Sequence, residues 1–475
     1  MNTEEFRRKG CEMIDYIAEF QKSIALRRVT PTVQPGDVRK LLPRNAPQKG
    51  EKWDDIIKDI EEIIVPGSVH WKHPHFFAYF PAGCSFPSVL AGMLSNLTGG
   101  SVSSWSSNPA ATDLEMIVLD WYAKWLGLPQ KFMRFSDESK GGGVIQNSTS
   151  ECTLVNMMSA RHLAIQKLKL MNPNDSEGVL LSRLVAYCSE ESHSSVEKAA
   201  IIALVKMRIL ETDERFCLRS KILEYAFEED KKKGLIPFFA IANFGSTSCC
   251  ACDPLHELGP LCDKYDVWLH VDAAYAGSSL ICKEFRYLIK GINYAKSITV
   301  NPGKWFLINI DCALMWIEDR RLLTDALVPG SFEVSDFSKE FDFCHWGIPN
   351  SRRFRALKIW LVLRYYGKEG MQRYIRNHVG LAKEFENHIR LDGRFDIVNE
   401  VNFGLVCFRL KGSNMLNKEL LSNLNASGKL HMTASSGKGL YFTRFAVCMQ
   451  NAISADIMYA VKLVTDFADE LLCLH

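Results

Sequence analysis

The first apolar pattern in the chain is helical. Between Glu4 and about Gln21, Met13, Ile14, Ile17 and Phe20 fall at helical spacing, which predicts an amphipathic helix covering an apolar surface such as another subunit. A proline-marked extended stretch, TPTVQPGDVRKLLP, separates it from a second helix, WDDIIKDIEEIIV. From about residue 86 to 315, helical periodicity alternates with short apolar runs: LVAYCS at 184–189, IPFFAIANFG at 236–245, VWLHVDAAYAG at 267–277 and SITVNPG at 297–303. Such alternation predicts an α/β layer on a mainly parallel sheet. Phe306 to Trp316, broken by Asn309 and Asp311, reads as one more buried strand. After Arg352, RRFRALKIWLVLRYYG predicts a long helix, followed by strand-like GLVCFRLKG and GLYFTRFAV and a last helix. The expected organisation is an N-terminal helical and extended arm (1–85), a large α/β domain (86–355) and a small C-terminal α+β domain (356–475).

Composition bears on partners more than on fold. The 475 residues are 47% hydrophobic and 24% charged, as in an ordinary globular protein, and the net charge of +2 gives no polybasic footprint for nucleic acid. MNTEEFRRKG lacks the apolar core of a signal peptide, and no apolar run is long enough to span a bilayer. A cytoplasmic protein without membrane or nucleic-acid partners is expected. The 15 cysteines are scattered and odd in number, which fits reduced thiols.

Four features fall on the ends of predicted strands, where open α/β sheets place ligands. GGGVIQNSTSE (141–151) joins a glycine-rich turn to a helix start, with Ser148 and Glu151 in capping-box spacing. Its exposed N–H groups and hydroxyls suit a phosphate, although an ordinary capped helix reads the same way. His193 precedes a second helix start, where Ser194 and Glu197 repeat the capping spacing. Asp272 ends the apolar strand LHVD and needs a cationic partner, either a structural ion pair or a protonated ring nitrogen. Lys304 stands at the mouth of an apolar run. A lysine there is costly unless used, and a neutral amine forms Schiff bases. An anion cradle, an acid for a pyridinium nitrogen, a ring to stack and an aldehyde-capturing amine are together the parts that hold pyridoxal 5'-phosphate.

Along nearly its whole length the chain resembles the group II pyridoxal-phosphate decarboxylases, and most of all the animal aromatic-L-amino-acid and histidine decarboxylase branch. The resemblance rests on VPGSVHWKHPHFFAYFPA, GGGVIQ-S-SE, HSSVEKA, WLHVDAAYAG, NP-KW, HW-IP--RRFR and GLVCFRLKGSN. It implies an aspartate-aminotransferase-like type I fold and a homodimer with shared active sites. It also implies Lys304 as the Schiff-base lysine, Asp272 as the pyridinium partner and His193 as the stacking ring. Ser148, Thr149, Ser150 and Asn301 correspond to phosphate contacts, and Thr247 to a further cofactor contact. The implied reaction is decarboxylation of an aromatic amino acid, dopa or tyrosine foremost and histidine the alternative, as in biogenic amine synthesis.

The substrate side departs from the family. Trp71, Tyr79 and Phe80 keep its aromatic wall, but Ala82 stands where threonine is usual. Ser101 and Ser103 replace an apolar and an aromatic residue, Gly303 replaces a histidine or serine, and Ser351 adds a hydroxyl found in the histidine-specific branch. The family protonates the product α-carbon from a loop tyrosine ahead of HW-IP. Here the loop reads VPGSFEVSDFSKEFDFCHWGIP, Ser331 or Phe332 falls on that position, and no tyrosine lies between Tyr294 and Tyr365. Members with phenylalanine there release aldehyde, ammonia and peroxide with the CO2. His193 points the other way, because another aldehyde-forming group carries asparagine at that position. The expectation is a decarboxylase with aldehyde-forming side chemistry, or else a nearly silent paralogue. His70, His73 and His75, and Cys249, Cys250 and Cys252, lack structural-zinc spacing, so no metal is expected.

Overall fold

The computed structural model describes residues 1–98, 100–330 and 334–474. Its large sheet contains β1 (Gly142–Gln146), β2 (Leu184–Ser189), β3 (Lys206–Leu210), β4 (Ile236–Asn243), β5 (Trp268–Asp272), β6 (Ser297–Val300) and β7 (Ala313–Ile317). The strand order is β1-β7-β6-β5-β4-β2-β3. Only β7 runs against its neighbours, so the other six strands share one direction and end at one edge.

Helices cover both faces, which is why these strands read as continuous apolar runs rather than alternating ones. Along β2, Val185 and Tyr187 enter one core while Leu184, Ala186 and Cys188 enter the other. At the sheet edge, β3 turns the charged Lys206 outward, which discourages further pairing.

The expected strand over Phe306–Trp316 is shorter than its apolar run. Pairing begins only at Ala313, whereas Phe306, Leu307 and Ile308 are buried without belonging to a strand. The chain leaves β6 through the turn Pro302–Trp305 and must reverse to enter β7 antiparallel. That reversal buries side chains without offering them a ladder. The stretch read as extended near residue 37 also contains a short helix, Asp37–Leu41.

A second, antiparallel sheet contains β8 (Phe395–Ile397), β9 (Leu405–Leu410), β10 (Thr433–Gly437) and β11 (Leu440–Ala446), in the order β10-β11-β9-β8. The helix Ala356–Leu391 joins the two layers: Ile359 and Val362 pack in the large core, Phe385 and Ile389 in the small one. It breaks at Gly367, whose φ of 63° suits a residue without a Cβ.

Part of the expected N-terminal arm is built into this small layer. Phe77 donates its N–H to the His431 carbonyl at 2.8 Å, accepts from the Ala446 N–H at 3.0 Å and joins the small core. The first helix, Thr3–Ser23, is mostly exposed, with Lys9 reaching Asp54 of the second at 2.5 Å.

Candidate active site

Turns leaving the common edge of the large sheet enclose a cavity of about 210 Å³. Ser148, Thr149 and Ser150 follow β1, His193 follows β2, and Ser246 and Thr247 follow β4. Asp272 ends β5, Tyr275 lies in the next turn, and Asn301 and Lys304 follow β6. All eight residues expected at a cofactor therefore face one space, although 156 positions of sequence separate Ser148 from Lys304.

The cradle is a helix start. Ser148 Oγ accepts the Glu151 N–H at 3.2 Å, as the capping pattern predicts. The reciprocal bond falls one residue earlier: Glu151 accepts the Asn147 N–H at 3.0 Å. The helix that follows, Thr149–Met171, points the positive end of its dipole and its first free N–H groups at the cavity edge. Asn301 donates to Thr149 Oγ1 at 3.3 Å and so ties the turn after β6 to the cradle.

His193 is held by its neighbour rather than by a cap. The expected capping bond of Ser194 is absent, because Ser194 already has helical φ/ψ. Instead, His193 Nδ1 accepts the Ser195 N–H at 3.1 Å and lies 2.8 Å from Ser195 Oγ. An N–H donor at Nδ1 leaves the proton of the neutral ring on Nε2. Burial lowers the imidazole pKa, the Lys304 charge adds to that effect, and Asp272 opposes it.

Asp272 sits level with Asn243 on one side and Thr299 on the other, and its Oδ1 accepts the Ala274 N–H at 3.0 Å. Burial pulls the Lys304 amine below the usual lysine range, while the Asp272 charge opposes that shift. Lys304 Nζ stands 5.3 Å from the Phe80 ring. Phe80 stacks on Tyr275 at 4.0 Å, and Tyr275 stacks on Trp305 at 4.7 Å. Trp305 Nε1 donates to His378 Nδ1 at 3.1 Å. This buried column fixes the turn that carries the lysine.

Arg444 was not singled out from the sequence. Its guanidinium carbon lies 4.9 Å from the centre of the same Phe80 ring, and it donates to the Tyr79 carbonyl at 3.1 Å and to Thr433 Oγ1 at 3.2 Å. Its charge also acts on the Lys304 amine. The available signal was a cation inside the apolar strand GLYFTRFAV, the same kind of signal that exposed Lys304.

The substrate-side residues do not all gather. Phe80 is buried beside Lys304, whereas Trp71 and Tyr79 stack on each other at 5.0 Å and are 40% and 48% exposed. Ala82 and Trp71 line a neighbouring cavity. Ser101 Oγ accepts the Arg352 N–H at 3.4 Å, the Ser103 carbonyl accepts the Cys344 N–H at 3.0 Å, and Ser351 is exposed. None of these three lines the Lys304 cavity. Ser331 and Phe332 lie outside the described residues.

A buried amine of lowered pKa, a carboxylate within its field, a neutral imidazole, and a hydroxyl-lined helix start across the same cavity fit pyridoxal phosphate by their donor chemistry. The family model of the pyridoxal-dependent decarboxylase conserved domain matches residues 35–411. The chain belongs to that family.

This pyridoxal-dependent decarboxylase is 47% identical over 476 residues to aromatic-L-amino-acid decarboxylase of Mus musculus, covering 99% of each chain. It is 44% identical over 477 residues to histidine decarboxylase of Homo sapiens, covering 100% of this chain and 72% of that one. Among solved structures it is similar to Catharanthus roseus tryptophan decarboxylase in complex with L-tryptophan, at a TM-score of 0.93 and 38% identity over 99% of both chains. It is also similar to Rhodiola rosea 4-hydroxyphenylacetaldehyde synthase, at a TM-score of 0.91 and 33% identity over 99% of both. The chain is thus a lyase of this family, its cofactor is pyridoxal phosphate, and its fold is the type I architecture.

Proposed function

We propose that the enzyme decarboxylates an aromatic L-amino acid, dopa or tyrosine foremost, and that a share of turnover ends in aldehyde instead of amine. The observation that carries the substrate class is the buried pairing of Phe80 with Lys304 and Arg444, in a chain 47% identical to an aromatic-L-amino-acid decarboxylase. The fixed Arg444 charge favours an incoming carboxylate beside the lysine. Phe80 and the stacked Trp71 and Tyr79 give the approach an aromatic wall.

When bound, pyridoxal phosphate supplies the electron sink that takes up the electron pair left on the α-carbon as CO2 departs. Lys304 is the residue that holds it covalently. Asp272 would hold the proton of its ring nitrogen, the imidazole of His193 would cover its ring, and Ser148, Thr149, Ser150, Thr247 and Asn301 would hold its phosphate. The reading includes a homodimer in which the partner completes the substrate end. Ser101, Ser103 and Ser351 stand apart from their own chain's cavity, and Leu90 and Leu97 of the helix Phe86–Thr98 are 53% and 83% exposed. No helix among the described residues is long and apolar enough to cross a membrane, and a cytoplasmic location belongs to the same reading.

The aldehyde branch is supported by sequence. With no tyrosine between Tyr294 and Tyr365, the loop lacks a phenol of pKa about 10 to protonate the α-carbon. The branch takes amino acid, O2 and water to aldehyde, CO2, ammonia and hydrogen peroxide. The test is product analysis with dopa, tyrosine, tryptophan and histidine, in air and under nitrogen, with peroxide quantified. Amine plus oxygen-dependent aldehyde and peroxide from dopa or tyrosine is expected. Clean amine without peroxide overturns the aldehyde branch, and exclusive use of tryptophan or histidine overturns the substrate assignment.

A further inference from the structure

Beside the cofactor site lies a second cavity of about 130 Å³, lined by Trp71, Lys72, Ala82 and Cys84 among others. On its wall Lys72 Nζ is 3.0 Å from Cys84 Sγ. Both side chains are partly exposed, unlike most of the cysteines, which are buried. The backbone around Cys84 is clamped onto the turn that carries Lys304. The Gly83 N–H donates to the Gly303 carbonyl at 2.6 Å, and Ser85 Oγ donates to the Leu307 carbonyl at 2.8 Å. A methyl group on Gly83 would meet the Gly303 and Ile308 carbonyl oxygens at 3.2 and 3.1 Å, so this contact has no slack.

We infer that Lys72 and Cys84 form a covalent modification site that captures a hydroperoxide and closes into a reversible sulfur–nitrogen cross-link. The thiolate is the form that attacks peroxide, and the Lys72 ammonium donates a hydrogen bond to this sulfur. Sulfur attacks one peroxide oxygen, the O–O bond breaks, and sulfur is oxidised by two electrons to the sulfenic acid. The departing hydroxide takes a proton from the Lys72 ammonium and leaves as water. That same transfer turns the lysine into the neutral amine needed next. The amine attacks the sulfenic sulfur, an S–N bond forms, the S–O bond breaks, and a second water leaves with an amine proton. One peroxide is consumed and two waters are released. Two equivalents of thiol reverse the link, giving back lysine and cysteine and one disulfide.

Because Gly83 and Ser85 hold the Lys304 turn, a bond at Cys84 stiffens the wall between the two cavities. The aldehyde branch proposed above releases a hydroperoxide of the required class. The test nevertheless uses added peroxide, so the cross-link stands or falls separately from that branch.

The experiment treats the holoenzyme with hydrogen peroxide and maps it by tryptic digestion and mass spectrometry. No lysine or arginine lies between Lys72 and Lys124, so a cross-linked Lys72 leaves residues 59–124 as one uncut peptide. The expected result is that peptide, lighter by two hydrogens, formed together with a loss of turnover and reversed by dithiothreitol. Cys84→Ser and Lys72→Arg should each abolish it while Cys11 and Cys473, both exposed, still oxidise. Cys84 left as a free thiol while Cys11 and Cys473 oxidise, or trapped as an uncondensed sulfenic acid with Lys72 still cleaved, would overturn the proposal.

Discussion

The two ends of the active site are built in different ways. At the cofactor end, Asp272 is the last residue of a strand and Ser148, His193 and Lys304 lie in turns just beyond strands of the same buried sheet, so the sheet's register fixes their separations. At the substrate end, Trp71 and Tyr79 are half exposed on a loop, and Ser101, Ser103 and Ser351 do not reach the cavity of their own chain. A strand end buried on both faces cannot shift without breaking a ladder and a core together. A loop can change its residues without disturbing either. Of the departures expected from the resemblance, Ala82, Ser101 and Ser103 lie off the sheet edge, whereas Gly303 lies in the turn that carries Lys304.

The contrast can be broken most sharply at the lysine. Lys304→Ala should abolish both decarboxylation and the visible absorbance of the lysine-bound cofactor while the fold survives, as read by circular dichroism. Normal absorbance in that variant would remove the cofactor end as assigned.

The substrate end is next in size. Ser331→Tyr or Phe332→Tyr, whichever faces the α-carbon, should raise the rate of amine formation by about 10²-fold, the lower part of the range for a positioned general acid. Peroxide output should fall in step, measured by chromatography and a peroxidase-coupled assay. An unchanged product ratio in both variants would mean that another group delivers the proton.

Arg444 lies between the two ends. Arg444→Met should raise KM by about 10-fold, the low end of what one hydrogen bond to a charged group contributes, and Arg444→Lys should recover part of it. Steady-state kinetics on both variants reads the effect, and equal KM in all three proteins would exclude a role for its charge.

The effect that bears least on turnover concerns acid. Burial depresses His270, on β5 beneath Asp272, and His378, behind Trp305, to about 4. The unfolded chain protonates these rings below about pH 6.5 while the folded chain does not, so the unfolded state binds more protons and stability falls as pH falls from there towards 4. The contribution is about 1.4 kcal/mol per unit of depression for each ring. Thermal melts across that window should decline together with cofactor absorbance, because both rings support the cofactor end. His378→Asn should flatten the decline, and melts that do not change with pH would contradict the assignment.

Much of this arrangement was legible in the residues. The alternation of helices with apolar runs specified the parallel sheet, because strands covered on both faces must be apolar throughout. Lys304 and Asp272 stood out because a charge at the end of such a run needs a use or a partner. The four strand-end groups taken together gave the cofactor, and the breadth of the motifs added the family. Local reading failed where a short-range pattern had two outcomes. Ser194 has the spacing of a cap, but it is already helical, and the next serine bonds His193 instead. Phe306 to Ile308 are as apolar as a strand, but the reversal into β7 leaves them unpaired.

The sequence by itself therefore determined the element types, the sheet's two-faced burial and the identity of the chemical groups, since each follows from a residue and its near neighbours. Only the tertiary structure decided which groups meet. It placed Arg444 of the second sheet over Phe80, stacked Tyr275 and Trp305 behind Lys304, put Lys72 against Cys84, and left the three serines outside. Contacts between residues tens to hundreds of positions apart depend on strand order and layer packing, and no local periodicity encodes these.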